Sequence, residues 1–304
     1  MKNIKCNLCG IDKTKILFYS QDRMFDLEGE FRVVKCTNCG LIYLNPQPEP
    51  EELSRHYPED YEPYNPKENP IVRWVKKEIV KSDIRGIHKL IGERGEILEI
   101  GCASGEYLVA LRDRGGFKVK GVELSPYAAK KAGEKGLDVS VGTLEEAGFG
   151  DESFDLIVAR HVLEHLPDPC ATLFEMGRIL KPGGKFLAII PNAATFERAI
   201  FKDAWCGYEV PRHLFLFSGT ILKEMLEKTR FELLSLRHSF VPNNWIISLN
   251  YLLKKKGFRK RIVDSFNIDN ILLLSLFTPL SLLQNLIRQS GRIEVVGGKL
   301  QIGD

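Results

Sequence analysis

The sequence predicts an α/β fold of the nucleotide-binding kind, and three observations support the prediction. Residues 96–105, EILEIGCASG, read as a short apolar strand that runs into a tight turn of small residues. A helix opens at Glu106, and a second strand, FKVKGVEL, follows it. In such folds the backbone N–H groups of the turn and the helix N-terminus face the ligand. The later sequence continues to alternate strands with helices, which favours a sheet covered on both faces.

The glycines of the turn and Glu123 indicate that the first strand, turn and helix bind a ligand with a ribose. Gly101 lets the chain turn, and Gly105 lets backbone approach a bound group closely. Glu123 ends the second strand, about 20 residues further on, where an acidic side chain is placed to accept hydrogen bonds from ribose hydroxyls. The spacing G-x-A-x-G lacks the full dinucleotide fingerprint. A plain strand, turn and helix with a solvated glutamate is the alternative.

Four motifs then follow in order between residues 96 and 192: ILEIGCASGEYL, VKGVELSP, DESFDLIVARHVLEHLPDP and ILKPGGKFLAIIPN. Together they resemble the successive motifs of class I S-adenosylmethionine-dependent methyltransferases. The resemblance implies a Rossmann-like sheet of seven strands, S-adenosylmethionine as the cofactor and methyl transfer as the activity. It says little about the acceptor.

The resemblance also implies a set of cofactor-binding residues. Glu123 would hold the ribose, Leu124 would pack on the adenine, and Arg160 would lie next to the transferred methyl group. Family members often have an acidic residue where Thr143 stands. That departure shifts the expected adenine contact to backbone or to Glu145. The full set is Glu99, Gly101, Cys102, Ala103, Gly105, Glu123, Leu124, Thr143, Leu144, Glu145 and Arg160.

Three histidines are candidates for the base that a hydroxyl acceptor requires, because the pKa of histidine lies near neutrality. His161 and His165 lie four residues apart after the fourth predicted strand, and His213 lies in the segment after the fifth. We expect His165 to be the base, with His213 as the second candidate. Each is open to a packing role instead. The spacing H-V-L-E-H also suggests metal ligands, but it lacks the HExxH order.

Residues 1–45 contain two C-x₂-C units, formed by Cys6, Cys9, Cys36 and Cys39. Four thiolates suit tetrahedral zinc, and the glycines at 10 and 40 allow the tight turns of zinc knuckles. Strand-like runs between them, KILFYS and FRVVKC, complete a predicted zinc ribbon. The zinc would be structural, because four thiolates leave no open coordination position. An iron site or a redox dithiol pair is the alternative.

The remaining chain divides into a connector and a catalytic domain. Residues 46–70 are rich in proline and tyrosine, and Tyr57, Tyr61 and Tyr64 are candidates to line a substrate mouth. Residues 71–304 would form the methyltransferase domain. FELLSLRHSF reads as its sixth strand and GRIEVVGGKL as its seventh. Residues of about 241–290 would then be an insertion between these strands.

The insertion contains KKKGFRKR, with six positive charges in eight residues, and then an uncharged run over residues 270–287. A spanning helix needs about 20 mostly apolar residues, and this run is shorter and contains Pro279. We therefore expect region 254–287 to form a soluble lid or a dimer-forming helical pair, or else to make peripheral contact with a membrane.

Composition limits the functional classes further. The net charge of +3 makes nucleic-acid binding an unlikely main role, and MKNIKCNLCG lacks the apolar stretch of a secretory signal. We therefore expect a cytoplasmic protein, peripheral at the inner membrane face if the insertion binds lipid. CGLIYLNPQP followed by the tyrosine-rich segment resembles a subset of these methyltransferases found among sugar-modifying enzymes of polysaccharide biosynthesis. This resemblance implies a sugar acceptor, nucleotide-linked or lipid-linked, methylated on oxygen or carbon. An RNA methyltransferase and a non-catalytic cofactor-binding partner are the alternatives. The oligomeric state stays open.

Overall fold

The computed structural model describes residues 1–58 and 70–300. Three short strands near the N-terminus pair in antiparallel fashion: β1 (Thr14–Ser20), β2 (Phe31–Cys36) and β3 (Ile42–Leu44). The first two are the strands predicted from KILFYS and FRVVKC. Tyr61 and Tyr64 of the connector lie outside the described residues.

A seven-stranded mixed sheet forms the centre of the molecule. Its strands lie in the order β10-β11-β8-β7-β4-β5-β6, and β11 alone runs antiparallel to its neighbours. The predicted Rossmann-like sheet is confirmed, and its predicted sixth and seventh strands are β10 and β11. The strands after β3 are β4 (Glu96–Ile100), β5 (Lys118–Glu123), β6 (Val139–Val141), β7 (Phe154–Arg160), β8 (Leu180–Pro191), β9 (Phe215–Leu216), β10 (Phe231–His238) and β11 (Arg292–Lys299).

Helices cover both faces of this sheet, as the apolar character of its strands requires. Their bounds are α1 (Pro50–Ser54), α2 (Pro70–Ile91), α3 (Glu106–Gly115), α4 (Pro126–Gly133), α5 (Pro169–Ile179), α6 (Phe196–Phe201), α7 (Gly219–Lys228), α8 (Asn243–Lys255), α9 (Lys260–Ser265) and α10 (Ile271–Leu286). Side chains of α2, α3 and α4 share one buried apolar cluster with the sheet. Side chains of α5 and α7 belong to a second cluster on the opposite face.

The N-terminal sheet is completed by the catalytic part of the chain. Strand β9, from the long segment after β8, pairs with β3 and places Phe215 opposite Tyr43 and Leu216 opposite Ile42. The buried apolar cluster that contains Val33 and Tyr43 is continuous with the one under β8 and α7. The ribbon is therefore packed into the larger core through a shared sheet and shared apolar contacts.

The carboxyl ends of the parallel strands bring the predicted site together. The segments that follow β4, β5, β7 and β8 leave the sheet at one edge, because parallel strands all end on the same side. This edge carries the glycine turn, Glu123, the histidines after β7 and the segment that contains β9.

Candidate active site

The turn after β4 has the backbone geometry of a ligand cradle. Gly101 and Gly105 take φ values of +67° and +77°. A Cβ at Gly105 would lie 2.3 Å from Leu137 Cδ1, so no larger residue fits there. Helix α3 starts at Glu106 without a side-chain cap, which leaves N–H groups of its first turn free for a ligand. Ala103, inside the turn, also has positive φ, at +47°.

Glu123 ties the tip of β5 to this turn. It is only 6% exposed, and its carboxylate accepts hydrogen bonds from the N–H groups of Ala103 (2.8 Å) and Ser125 (2.9 Å). Burial raises its pKa, and the backbone hydrogen bonds partly oppose this. The neighbouring Leu124 is 66% exposed, as a side chain placed to pack on a flat ligand should be. The ribose role of Glu123 and the adenine role of Leu124 stay predictions.

Glu99 and Cys102 lie beneath the turn. Glu99 is 4% exposed, and its Oε2 atom has no hydrogen-bond partner in the described part of the chain. Burial raises its pKa to about 8, although the positive charge of Arg160 pulls it down. The Cys102 side chain is buried and points toward Gly121, whose Cβ would lie 2.6 Å from the sulfur. Cys102 can therefore meet a ligand only through its backbone.

The residues predicted to meet the adenine are mostly committed elsewhere. Leu144 is buried in the apolar core. The Glu145 carboxylate accepts a hydrogen bond from the Thr172 hydroxyl at 2.9 Å. The Thr143 hydroxyl accepts a hydrogen bond from the N–H of Glu146, and the Glu146 carboxylate accepts one from the N–H of Thr143. The geometry therefore favours backbone atoms for an adenine contact in this segment.

Arg160 closes the site from the end of β7. Its guanidinium lies 4.3 Å from the centre of the Tyr107 ring, and its buried Nε has no hydrogen-bond partner among the described residues. A cation over an aromatic face is held electrostatically by the ring. Its positive charge also acts on the buried Glu99.

The three histidines and two glutamates gather next to this pocket. His161 has φ +55°, keeps 44% of its side chain exposed, and places Nδ1 3.2 Å from Oε1 of the fully buried Glu164. Only residues 163–165 form a 3₁₀ turn, so His161 precedes it and does not share a helical face with His165. The His165 and His213 rings meet edge to face at 4.6 Å, and Glu209 Oε2 lies 3.6 Å from His213 Nε2.

The three rings differ in their hydrogen-bond partners and in the causes that lower their pKa. His165 Nδ1 lies 3.0 Å from the Arg212 carbonyl and 2.9 Å from the Tyr57 hydroxyl, and His213 Nδ1 lies 2.9 Å from the Gly207 carbonyl. Burial lowers the pKa of His165 and of His213 to about 4. Burial of the ring nitrogens, with the positive charges of Arg292 and Arg160, lowers the pKa of His161 to about 3. All three rings are therefore neutral near pH 7.

Glu164 is the fully buried carboxylate of this cluster. Burial raises its pKa, whereas His165 and His213 pull it down, and its Oε2 has no partner within the described residues. One ligand atom from each of Glu164, His165 and His213 lies within 4.8 Å of the others. Sequence reasoning named the histidines but not Glu164 or Glu209, although Glu164 stands inside the H-V-L-E-H spacing that drew attention to its neighbours.

The segment after β8 is held by a buried ion pair with the ribbon. Arg212 is fully buried, and its guanidinium donates to both carboxylate oxygens of Asp22 at 2.8 and 3.0 Å. His56 Nδ1 lies 2.7 Å from the same carboxylate, and Arg212 also donates to Glu209 at 3.0 Å. No sequence signal marks Asp22 or His56, because the loop that carries Asp22 looks like ordinary polar sequence.

Two aromatic residues of the segment after β8 are anchors of the fold. Trp205 is 1% exposed and donates from Nε1 to Glu197 Oε2 at 3.2 Å. Tyr208 is 4% exposed and packs edge to face on Trp205 and on Phe18 of the ribbon. Together with Arg212, they fix the segment after β8 and leave no open face for a ligand.

The four ribbon cysteines form a second cluster. Their sulfur atoms lie within 4.8 Å of one another, with Cys6–Cys39 at 3.4 Å and Cys9–Cys36 at 3.6 Å. Tetrahedral zinc with Zn–S bonds of about 2.3 Å separates its ligand sulfurs by roughly 3.8 Å, so the donor set and spacing fit that ion. The knuckle between Cys6 and Cys9 also contacts the start of α5. Asn7 Nδ2 donates to Asp168 Oδ1 at 2.7 Å, and Asn7 Oδ1 accepts from the N–H of Cys170 at 3.1 Å.

Comparison with known proteins decides the family. A model of the methyltransferase domain matches residues 74–236, more than half of the chain. The chain belongs to this methyltransferase family. The match includes β4 to β8 and the whole edge that carries the glycine turn, Glu123 and the histidines after β7. Class I methyltransferases use S-adenosylmethionine, and its binding at the cradle of Gly101–Gly105 stays a prediction.

Individual relatives agree on the class. An uncharacterised protein of Methanocaldococcus jannaschii is 29% identical over 51% of this chain and 72% of its own length. The ubiquinone biosynthesis O-methyltransferase of Xanthomonas oryzae pv. oryzae is 34% identical over 38% of this chain, which spans about half (52%) of that relative. A crystal structure from Galdieria sulphuraria, provisionally assigned as a sarcosine dimethylglycine methyltransferase, superposes with a TM-score of 0.53 at 14% identity, covering 79% of this chain and 91% of its own. That likeness shows the fold.

Proposed function

We propose that this methyltransferase transfers a methyl group to a sugar, nucleotide-linked or lipid-linked, and that His161 is the general base. The single observation that carries the proposal is the pair formed by His161 and Glu164. One imidazole is accessible at the end of β7, and a buried carboxylate holds its Nδ1 at 3.2 Å. A base oriented by a second group is the arrangement expected for proton removal from an acceptor.

Residues already placed around the turn would hold the cofactor. The free N–H groups of α3 and the Glu123 carboxylate suit a ligand with ribose hydroxyls, and the orphaned Glu99 oxygen suits a cationic atom. S-adenosylmethionine supplies the methyl group when it is bound. The contribution of the chain is to align the acceptor, exclude water and take a proton.

The proton transfer follows from the tautomers that the hydrogen bonds favour. Since Nδ1 of His161 faces Glu164, the proton of the neutral ring belongs on Nδ1, and Nε2 is left with a lone pair. His161 Nε2 would accept the hydroxyl proton of the acceptor as its oxygen is methylated, and Glu164 would stabilise the resulting imidazolium. For a keto-sugar the same atom would remove a proton from the carbon next to the carbonyl, giving C-methylation.

His161 is a better candidate than His165, which the sequence favoured. The Nδ1 atom of His165 is already engaged by the Arg212 carbonyl and the Tyr57 hydroxyl, and its ring packs on His213. His165 and His213 would instead shape the acceptor side of the site. The density of polar groups there, with Glu209 added, supports an acceptor rich in hydroxyls over an apolar one.

A second candidate acceptor is the hydroxyl of a lipid-soluble phenol. It is favoured by the relatives named ubiquinone biosynthesis O-methyltransferase, which match this chain over about half of their own length. The same base would serve, because a phenol also loses its hydroxyl proton on methylation.

We also propose that the ribbon cysteines bind one zinc ion with a structural role. The donor set and the sulfur separations support this, and the four thiolates would leave no coordination position for a substrate. The hydrogen bonds from Asn7 to Asp168 and Cys170 would transmit the order of the knuckle to the segment that follows His161 and His165.

The deciding experiment uses methyl-labelled S-adenosylmethionine with nucleotide sugars, lipid-linked sugars, phenols and total RNA. We expect label on a sugar pool. His161→Gln should lose at least about a hundredfold in kcat, in the range of general-base contributions, with cofactor affinity unchanged. His165→Gln is the matched control and should retain far more activity. Label on RNA alone, or His161→Gln with an unchanged kcat and pH profile, would refute the proposal.

A further inference from the structure

Helix α10 exposes many of its leucines and buries two of its polar side chains. Ser281 and Gln284 are 2% and 1% exposed, whereas Leu272 and Leu286 are each 81% exposed. In most soluble helices the apolar stripe faces the core. The exposed apolar side chains share one face of the helix with the exposed Ser275, and we call this face the leucine face: Ile271, Leu272, Leu276, Pro279, Leu282, Leu283, Leu286 and Ile287. Phe277 and Leu280 pack on the buried core instead.

This orientation is fixed by specific polar contacts. The Ser281 hydroxyl accepts a hydrogen bond from the N–H of Val241 at 2.9 Å. Gln284 accepts from Trp245 Nε1 at 2.6 Å and donates to Glu197 Oε1 at 3.0 Å. Turning the helix to bury its leucines would leave these buried groups unpaired, at a cost of about 1–3 kcal/mol each. The leucine face is therefore a stable surface of the fold.

A basic segment accompanies the leucine face. Residues 254–261 run from the end of α8 to the start of α9 and carry six positive charges. Lys254, Lys255 and Lys260 pair with acidic side chains. Lys256, Arg259 and Arg261 are exposed and make no hydrogen bond or ion pair within residues 1–58 and 70–300. Exposed apolar side chains lie among and after them: Phe258, Ile262 and Ile268.

We propose that this face docks on a bilayer surface of anionic phospholipid, with the leucine face in the acyl boundary and the basic segment at the headgroups. Charge complementarity identifies the occupant. Helix α8, which packs on α10, leads into the segment that carries the three unpaired cations, and cations combined with an uncharged apolar face match an anionic interface. None of the helices in the described ranges is long and apolar enough to cross a membrane, so the contact would lie in the plane of the interface.

A second copy of the chain fits this face less well. Paired leucine helices are normally flanked by charged residues that set their register, and residues 270–287 contain none. In a two-fold symmetric dimer the same patch meets itself, so the basic segments would be brought close to each other.

Vesicle flotation of the full chain tests the proposal. We expect binding to vesicles of phosphatidylcholine and phosphatidylglycerol at 7:3 and much weaker binding to phosphatidylcholine alone, with high salt weakening the anionic case. The triple variant Lys256→Glu, Arg259→Glu, Arg261→Glu should bind anionic vesicles at least about a hundredfold less, since each cation near the surface contributes about 1 kcal/mol. Lys118→Glu, on the opposite edge of the sheet, is the charge control.

The apolar contribution needs its own pair of variants. Leu272→Gln with Leu286→Gln should abolish flotation, whereas Ile16→Gln with Ile79→Gln, two exposed isoleucines elsewhere, should leave it intact. Cofactor affinity checks that each variant is folded. The proposal is overturned if the wild-type chain does not float with anionic vesicles. It is also overturned if light scattering shows a dimer that only the leucine double variant dissociates.

Discussion

Replacing Asp22 by Asn tests whether a buried ion pair holds the ribbon to the catalytic part of the chain. Asp22 is fully buried, and its two oxygens accept hydrogen bonds from Arg212 (2.8 and 3.0 Å) and His56 (2.7 Å) and from the N–H groups of Met24 and Phe25 (3.0 and 3.1 Å). Every lone pair of the carboxylate is therefore used. In asparagine an NH₂ group replaces one of the two oxygens. That donor would then face another donor, from Arg212, His56 or the backbone.

The size of the effect follows from burial. Removing one partner of a buried ion pair leaves the other charge uncompensated and costs about 3–5 kcal/mol. That is a large share of the roughly 5–15 kcal/mol by which proteins are stable. Asp26→Asn is the matched control: Asp26 lies in the same loop and pairs with Lys254 at 2.9 Å, but it is 68% exposed. A surface pair of this kind contributes about 0.2–1 kcal/mol.

Equilibrium urea unfolding measures both variants, and the buried Trp205 and Trp245 provide the fluorescence signal. The stability difference should also depend on pH. Burial alone would raise the pKa of Asp22, but hydrogen bonds from Arg212 and His56 hold it below its ordinary value. The contribution of Asp22 is then fully present above about pH 3.9 and is lost as the pH falls through the lowered pKa. A loss below about 1 kcal/mol for Asp22→Asn, equal to that of Asp26→Asn, would refute the reasoning.

Three further predictions concern the cofactor, the metal and the histidines. Glu123→Gln should weaken S-adenosylmethionine binding by about ten- to a hundredfold in calorimetry, because a hydrogen bond to a charged group contributes about 1.5–3 kcal/mol; unchanged affinity would contradict the ribose assignment. Cys36→Ser should lower both the zinc content measured by elemental analysis and the Tm, and an equal zinc content in both proteins would argue against the site. Burial lowers the pKa of His165 and His213 to about 4, so the unfolded chain binds protons first and stability falls as the pH drops from about 6.5 to about 4. In a series of Tm values against pH, His213→Gln should flatten this slope, and a slope equal to that of the wild type would exclude His213 as a source.

The sequence determined the elements that depend on local pattern. Apolar runs bounded by glycine predicted β4 and β8. The position of Glu123 followed from spacing alone, because a residue at the tip of β5 must meet the turn after β4 in a parallel sheet. These inferences needed no knowledge of distant contacts.

The tertiary structure decided the roles of side chains that meet residues far away in the chain. Nothing in the local sequence marks Arg212, and only its contact with Asp22, 190 residues earlier, identifies it as an anchor. The order of preference among the histidines changed for the same reason: His161 keeps an exposed ring beside Glu164, whereas His165 is engaged by Tyr57 and by the Arg212 carbonyl.

Helix α10 and strand β9 show most clearly what the sequence determines and what only the tertiary structure decides. The apolar run and the basic segment of the insertion are both visible in the sequence. Hydrophobicity alone, however, cannot say which face of a helix is buried when nearly every residue is apolar. Two polar side chains, Ser281 and Gln284, settle the orientation through partners in other elements. Strand β9 has only two residues, too few for any periodic signal, yet it completes the ribbon sheet through pairing with β3. Pairing across the chain is a property of the folded whole, because each strand needs a partner whose position the local sequence does not encode.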